Sequence, residues 1–218
     1  MANPNAYSQR DYQLRGLKGI SDQQIDVHMG LYAGYVKNTN ALNQKIAELA
    51  GQGKGGTPDW AELVRRLGFE YNGLILHEYY FGNLKSPGGG TSPMSLGGAP
   101  GGGSQIDSGS KLGKAIEQSF GSVQDWLAAF KAIASMRGVG WAILFQDPAT
   151  GWLSNHWVTL HQDGNPAGFK PILVLDIWEH AFMVDYKPAE RAKYIDAFFD
   201  NVDWPTVEQR LTQQATTR

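Results

Sequence analysis

The sequence contains no cysteine, although it is 218 residues long. This absence excludes disulfides, metal sites built from thiolates, and cysteine nucleophiles. Any metal ion that the protein binds must therefore be held by nitrogen and oxygen atoms.

Long apolar runs and an excess of positive charge are also missing. Aliphatic runs such as residues 172–175 (ILVL) are far shorter than the about 20 residues that span a bilayer. Lysine and arginine number 19 against 21 aspartates and glutamates, which gives a net charge of −2. We therefore expect neither a nucleic acid nor a membrane surface as a partner. The first thirty residues have no apolar stretch followed by a cleavage site, which favours the cytoplasm.

Apolar residues make up 42 % of the chain, which is enough for a buried core. Glycine is unevenly distributed, because eight of the 27 glycines lie in residues 88–103 (GGGTSPMSLGGAPGGG). A segment of this composition does not form a regular element. We predict a helical hairpin domain at residues 1–87, a glycine-rich connector at residues 88–110, and an α/β domain at residues 111–218.

The first part of the chain has helical periodicity. From Ile25 to Val36 the apolar residues recur every three or four positions, and Ser21 precedes them as an N-cap. Pro58 begins a second helix, for which we predict a break near Gly68. Two helices in sequence predict a helical hairpin.

The second part mixes helices and strands. Ser122 begins a helix that ends before Gly138. Residues 141–145 and 152–160 flank a turn at residues 147–151 and predict a hairpin, and residues 172–175 predict a short buried strand. Helices follow at residues 190–201 and from Pro205. The predicted fold class is α+β, with a small antiparallel sheet.

The segment from Asp176 to His180 indicates metal chemistry. Asp176 ends a buried strand, and His180 follows about one helical turn later, so a carboxylate and an imidazole lie on one side. A buried carboxylate is costly unless it is paired or binds a cation, and the alternative is a helix N-cap. Three imidazoles and one carboxylate would suit iron, manganese or zinc rather than calcium or magnesium. Each of the five histidines is weak evidence alone, since a lone histidine on an apolar helix is more often a packing residue.

Residues 176–181 (DIWEHA) resemble the signature of the iron/manganese superoxide dismutase family. Further segments match the family in chain order, so the resemblance covers about residues 17–210. These segments are residues 35–40 (YVKNTN) after His28, His77 ahead of residues 80–84 (YFGNL), residues 120–122 (FGS) through 138–142 (GVGWA), and residues 194–195 (YI) through 201–204 (NVDW).

This resemblance implies a superoxide dismutase that holds one iron or manganese ion per subunit and cycles it between trivalent and divalent states. The substrate would be superoxide, and the second part would contain a three-stranded antiparallel sheet. Trp141 and Trp178 would form walls that keep the site dry. The metal ligands that the resemblance implies are His28, His77, Asp176 and His180.

The helix that carries the first ligand departs from the family. Six residues separate His28 from Tyr35, where the family usually has seven, and Leu31 and Tyr32 replace a pair of histidines. One residue fewer rotates later side chains by about 100° unless the family's helix has a local bulge that is missing here. We expect His28 to be the ligand, because Val27 at the ungapped position cannot bind metal.

The group that hydrogen-bonds metal-bound solvent also differs. In the family a glutamine usually comes from one of two places and tunes the metal. The helical place, four residues before His77, holds Gly73. At the other place, ungapped counting gives His161, and alignment of the Gln-Asp pair gives Gln162 with one inserted residue. We expect His161 to share a proton path with Tyr35, with Gln162 as the alternative.

Assembly is a further implication of the resemblance. In the family the glutamate beside the last ligand reaches that histidine of the partner across a two-fold axis. Glu179 and His180 therefore imply a homodimer with two such contacts. Since Leu31 and Met183 replace a histidine and a tyrosine of the family, more of the interface should be apolar. Assemblies larger than a dimer stay open.

Two other function classes stay open at this point. One is a non-haem iron oxygenase or zinc hydrolase with two histidines and a carboxylate, and the other is a metal-free binding protein on the same fold. His156 has no counterpart in the family and is expected to have an ordinary role. Cations that could attract the superoxide anion, or simply be solvated, are Arg191, Lys193 and Lys37.

Overall fold

The computed structural model describes residues 6–87 and 105–212. Residues 88–104 of the predicted connector therefore lie outside the described residues. Short 3-10 turns occur at Glu179–Ala181 and Pro188–Glu190. The longer elements are α1 (Asp22–Gly51), α2 (Pro58–Gly82), α3 (Lys111–Phe120), α4 (Val123–Ala134), β1 (Gly140–Gln146), β2 (Leu153–Thr159), β3 (Lys170–Asp176), α5 (Arg191–Asp200) and α6 (Trp204–Glu208).

Helices α1 and α2 form the predicted hairpin. The side chain of Ser21 accepts a hydrogen bond from the backbone N–H of Gln24 at 3.0 Å, so the predicted N-cap is confirmed. The predicted break near Gly68 is wrong, because α2 continues through this residue. A glycine inside a helix costs only about 1 kcal/mol, and α2 packs against α1.

The sheet has three antiparallel strands in the order β2-β1-β3, as predicted. Strand β1 lies in the centre and is buried along its whole length. Trp141 on β1 is the direct partner of Asp176 on β3. This pairing places the carboxylate at the end of a buried strand, beside a large apolar wall. The predicted fold class is confirmed.

The end of α2 is attached to β3 by buried polar contacts. The guanidinium of Arg210 donates to the side-chain oxygen of Asn83 and, at 2.9 Å, to the carbonyl of Ile172. Asn83 in turn donates to the carbonyl of Val174 at 2.6 Å. Because His77 lies on α2 and Asp176 on β3, these contacts fix the distance between two predicted ligands.

The remaining helices cover the sheet. Helix α4 begins at the N-cap Ser122, as predicted, whereas α3 has no counterpart among the sequence predictions. Trp126, Phe130 and Phe199 meet edge to face or at a tilt, with ring centroids 5.7 to 6.3 Å apart, and join α4 to α5. None of the helices within residues 6–87 and 105–212 is long and apolar enough to cross a membrane.

Candidate metal centre

Four ligand-capable side chains converge from four elements. Their donor atoms all lie within 4.8 Å of one another. The Nε2 atoms of His28, His180 and His77 lie 3.0, 3.2 and 3.7 Å from the same carboxylate oxygen, Oδ2 of Asp176. The arrangement brings together all four of the ligands that the family resemblance implies.

Helix α1 carries the first proposed ligand, His28, and is α-helical without interruption. His28, Tyr32 and Tyr35 follow one another at intervals of four and three residues, which places them on one face. His28 is fully buried, whereas Val27 is 45 % exposed. The shorter spacing in this chain therefore directs residue 28, and not residue 27, to the carboxylate.

The orientation of His77 fits a metal ligand. Its Nδ1–H donates to the carbonyl of Gly73 at 2.6 Å, which leaves the lone pair on Nε2 facing Asp176. Nε2 is buried and has no hydrogen-bond partner among the described residues. Such an orphaned acceptor is costly unless a cation occupies the space in front of it.

Two hydrogen bonds orient Asp176 and its carboxylate. Its other oxygen, Oδ1 of Asp176, accepts the backbone N–H of Trp178 at 2.8 Å. The backbone carbonyl of Asp176 accepts the hydroxyl of Tyr194 at the same distance. Oδ2 is therefore the oxygen left for the three imidazoles, and contacts of this kind fix the direction of a ligand.

Burial determines the charge of the site. Burial lowers the pKa of His28 and lowers that of His77 still more, so both rings are neutral at pH 7, as metal ligands must be. Burial alone would raise the pKa of Asp176, but its contacts with His180 and His28 bring it below the usual value. Beside these two neutral imidazoles the carboxylate of Asp176 is a buried negative charge, which a metal cation would balance.

His161 lies beside these four residues and is fully buried. It follows Leu160, the one non-glycine residue of the described ranges with a positive φ, at 53°. Such a left-handed residue is uncommon outside glycine and asparagine. The turn it makes at the end of β2 directs the imidazole inward.

Two hydrogen bonds define the tautomer of His161. Trp141 Nε1–H donates to Nδ1 of His161 at 3.0 Å, and an indole N–H is only a donor. Nδ1 must therefore be unprotonated, so the ring hydrogen is on Nε2, which lies 2.7 Å from the hydroxyl of Tyr35. Burial is the main cause that lowers the pKa of His161 to about 4, so the ring is neutral at pH 7.

Tyr35 depends on the glycine opposite it. A Cβ atom at Gly73 would lie 2.6 Å from Cδ1 of the Tyr35 ring, so a larger residue would displace that ring. Burial is also the main cause that raises the pKa of the Tyr35 hydroxyl above its usual value. Tyr35 therefore keeps its proton at neutral pH.

The two tryptophans enclose the site. Trp141 is fully buried, and its ring meets that of His77 edge to face at 5.1 Å. Trp178 stacks on His161 at 4.9 Å and on His180 at 5.6 Å. Aromatic walls of this kind exclude water and lower the local dielectric constant.

Other residues singled out from the sequence lie elsewhere. Gln162 is exposed, and its side chain accepts only a long bond of 3.4 Å from the backbone of His161. His156 lies on β2, where its Nε2 is 2.8 Å from the hydroxyl of Ser154. Glu179 is exposed, and its carboxylate has no partner in its own chain among the residues that the structure describes.

Two of the three cations that were candidates to attract the substrate, or simply to be solvated, have partners within the chain. Arg191 donates to the backbone carbonyls of Ser135 and Gly138, and Lys193 forms an ion pair with Glu190 at 2.7 Å. Lys37 is exposed on α1.

Two groups of residues near the site were not predicted from the sequence. Gln24 donates to the carbonyl of His180 at 2.7 Å and accepts from the backbone of Val184, which anchors the ligand turn to α1. Phe69 packs edge to face on His161, with 4.5 Å between the ring centroids. The guanidinium of Arg66 lies over the ring of Phe69. Gln24 lies three residues after the N-cap Ser21, a position at which a glutamine commonly has only a capping role.

Comparisons with known proteins show the family to which the chain is similar. Residues 107–210 match the family model described as iron/manganese superoxide dismutases, C-terminal domain. The chain is 36 % identical over 202 residues to an iron superoxide dismutase of Aquifex pyrophilus, covering 90 % of this chain and 86 % of the relative. It is 35 % identical over 195 residues to a manganese superoxide dismutase of Haloferax volcanii, covering 89 % of this chain and 88 % of the relative. A manganese/iron superoxide dismutase of Aeropyrum pernix is 36 % identical over 188 residues, covering 85 % of this chain and 79 % of the relative.

Proposed function

Because this chain belongs to the iron/manganese superoxide dismutase family, we propose that four of its residues hold one iron or manganese ion: His28, His77, Asp176 and His180. The protein is a superoxide dismutase. The observation that carries the ligand assignment is the convergence of three Nε2 atoms on one oxygen of Asp176, with Nε2 of His77 left without any other partner. Three nitrogen donors and one oxygen donor suit these metals.

Two superoxide anions and two protons give dioxygen and hydrogen peroxide. When bound, the metal supplies the one-electron chemistry by accepting an electron from one superoxide and returning it to the next. The protein must orient the ligands, exclude bulk water and deliver protons.

Tyr35 and His161 are the residues that we assign to proton delivery. Nε2–H of His161 donates to the oxygen of Tyr35, so the hydroxyl hydrogen of Tyr35 is free to point toward the reacting oxygen. Trp141 supports this direction by donating to the other ring nitrogen of His161. The exposure of Gln162 favours His161 over the alternative.

A homodimer would complete the orientation of His180. The side chain of His180 is 19 % exposed, and Glu179 beside it is exposed with its carboxylate unpaired among the described residues. A metal-binding histidine usually donates its second ring N–H to a carboxylate or carbonyl. We assign this contact to Glu179 of a second copy, repeated twice about a two-fold axis.

Exposed apolar side chains close to two proposed ligands in the sequence support the dimer. Four large apolar residues within four positions of His28 or His180 are between 40 and 49 % exposed. Exposed apolar side chains that lie together are typical of an interface. These side chains are Val27, Leu31, Met183 and Val184.

Metal analysis of the purified protein, with an absorption spectrum and a superoxide decay assay, tests this function. We expect about one iron or manganese ion per chain and metal-dependent loss of superoxide. Colourless zinc, or protein that contains no metal and is not activated by either metal, would refute the proposal. The cytoplasmic location expected from the sequence stays a prediction that cell fractionation would test.

A further inference from the structure

A positively charged side chain lies beside the polar pair Tyr35 and His161. The ring of Phe69 contacts both, with its centroid 4.5 Å from that of His161 and 6.1 Å from that of Tyr35. The guanidinium carbon of Arg66 lies 4.3 Å from the centroid of the same Phe69 ring. One aromatic ring therefore separates this cation from the pair assigned to proton delivery.

Glu70 fixes the position of the Arg66 side chain. Its Nε and Nη2 atoms lie 2.9 and 2.8 Å from Oε1 of Glu70, one helical turn later. Glu70 is buried, and its other oxygen accepts the side-chain amide of Asn38 on α1 at 3.2 Å. A buried carboxylate with both oxygens occupied holds the guanidinium over Phe69 with little freedom to move.

The outer part of Arg66 stays open. Its side chain is 52 % exposed, and Nη1 has no partner among the described residues.

We propose that Arg66, held over Phe69 by Glu70, is the residue that draws the superoxide anion to the mouth of the site. The inference rests on the proposed function, because it gives an approach route to that same site. It differs from the sequence analysis, which named Arg191, Lys193 and Lys37 as candidates for this role or as solvated cations. Two of these cations already bind carbonyls or a carboxylate.

The expected effect is small and depends on salt. Two unit charges about 10 Å apart in water change an encounter rate about twofold, and a low-dielectric rim raises this to about threefold. At an ionic strength of about 0.5 M the effect should disappear, because the Debye length falls to a few ångströms.

The test compares Arg66→Gln with the matched control Arg65→Gln. Arg65 precedes Arg66, carries the same charge and pairs with Glu62, but its side chain is 77 % exposed and it does not touch Phe69. In metal-loaded protein at low salt, Arg66→Gln should lower the second-order rate constant for superoxide about two- to threefold. Arg65→Gln should change it far less, and Arg66→Lys should restore most of the rate.

A binding measurement provides a second readout that needs no turnover. Azide is a small monovalent anion, and its dissociation constant can be measured from the absorption spectrum of the loaded enzyme. We expect Arg66→Gln to weaken azide binding by a similar factor at low salt and not at high salt. Equal rates and equal azide affinities in wild type and Arg66→Gln, or equal losses in both glutamine variants, would overturn the role of Arg66. Wild-type protein that binds no metal would instead refute the proposed function.

Discussion

Replacement of His161 by alanine tests how the site is supported. The imidazole is fully buried and lies between Trp141 Nε1 at 3.0 Å and the hydroxyl of Tyr35 at 2.7 Å. Alanine removes both contacts and leaves the indole N–H of Trp141 without an acceptor in the core. Glutamine, in contrast, offers one acceptor and one donor over a similar reach.

The loss of stability can be worked from these contacts. An unsatisfied buried donor costs about 1 to 3 kcal/mol, and the space left by the ring adds a cavity cost of about 1 kcal/mol. His161→Ala should therefore lower the free energy of unfolding by about 2 to 4 kcal/mol, which corresponds to about 4 to 16 °C in Tm for a chain of this size. His161→Gln should recover more than half of this loss.

Urea unfolding of metal-free protein at constant protomer concentration measures the difference. His156→Ala is the control, because His156 is only half-buried and its side-chain hydrogen bond is with Ser154 alone among the described residues. We expect this control to cost less than about 1 kcal/mol. Reloaded His161→Ala should keep its metal and lose turnover, while Gln162→Ala should keep both. A His161→Ala variant within about 0.5 kcal/mol of wild type, or an unchanged rate beside a large drop in Gln162→Ala, would refute the reasoning.

Three further predictions concern neighbouring parts of the site. Gly73→Ala should displace the Tyr35 ring, because the new Cβ would lie 2.6 Å from it, and turnover should fall with metal content retained; full activity would contradict this. Glu179→Ala should shift sedimentation toward monomer and lower metal content together, whereas a dimeric, loaded and active variant would contradict the contact with His180. The pKa of His161 is lowered from 6.5 to about 4, so its contribution to stability is complete above pH 6.5 and is lost as the pH falls toward 4. Stability curves of wild type should be steeper in this window than those of His161→Gln, and parallel curves would contradict the assignment.

The sequence predicted the elements whose local signals and tertiary packing agree. Ser21 and Ser122 cap helices as expected, and the aromatic stretches around residues 147–151 form the predicted hairpin. The break predicted near Gly68 was wrong, because the packing of α2 against α1 outweighs the low helix propensity of glycine. Helix α3 was missed, since it follows directly after the glycine-rich segment.

The residues of the site also divide into those that could be predicted from the sequence and those that could not. The metal ligands could be named only through the resemblance to a family, because helical periodicity alone does not distinguish a ligand from a buried packing histidine. Which cation lies near Tyr35 could not be read from the sequence, because Arg66 and Phe69 reach that residue only through the pairing of α1 with α2. The inward turn of His161 depends on a left-handed Leu160, and no local pattern predicts a left-handed leucine.

Metal content and superoxide decay in His77→Ala, measured beside His156→Ala, test the ligand assignment most directly. His77 contributes the Nε2 atom that has no other partner among the described residues, whereas the Nε2 atom of His156 contacts the hydroxyl of Ser154. We predict that His77→Ala loses bound metal and dismutation together, while His156→Ala retains both. Full metal content and activity in His77→Ala would contradict the assignment.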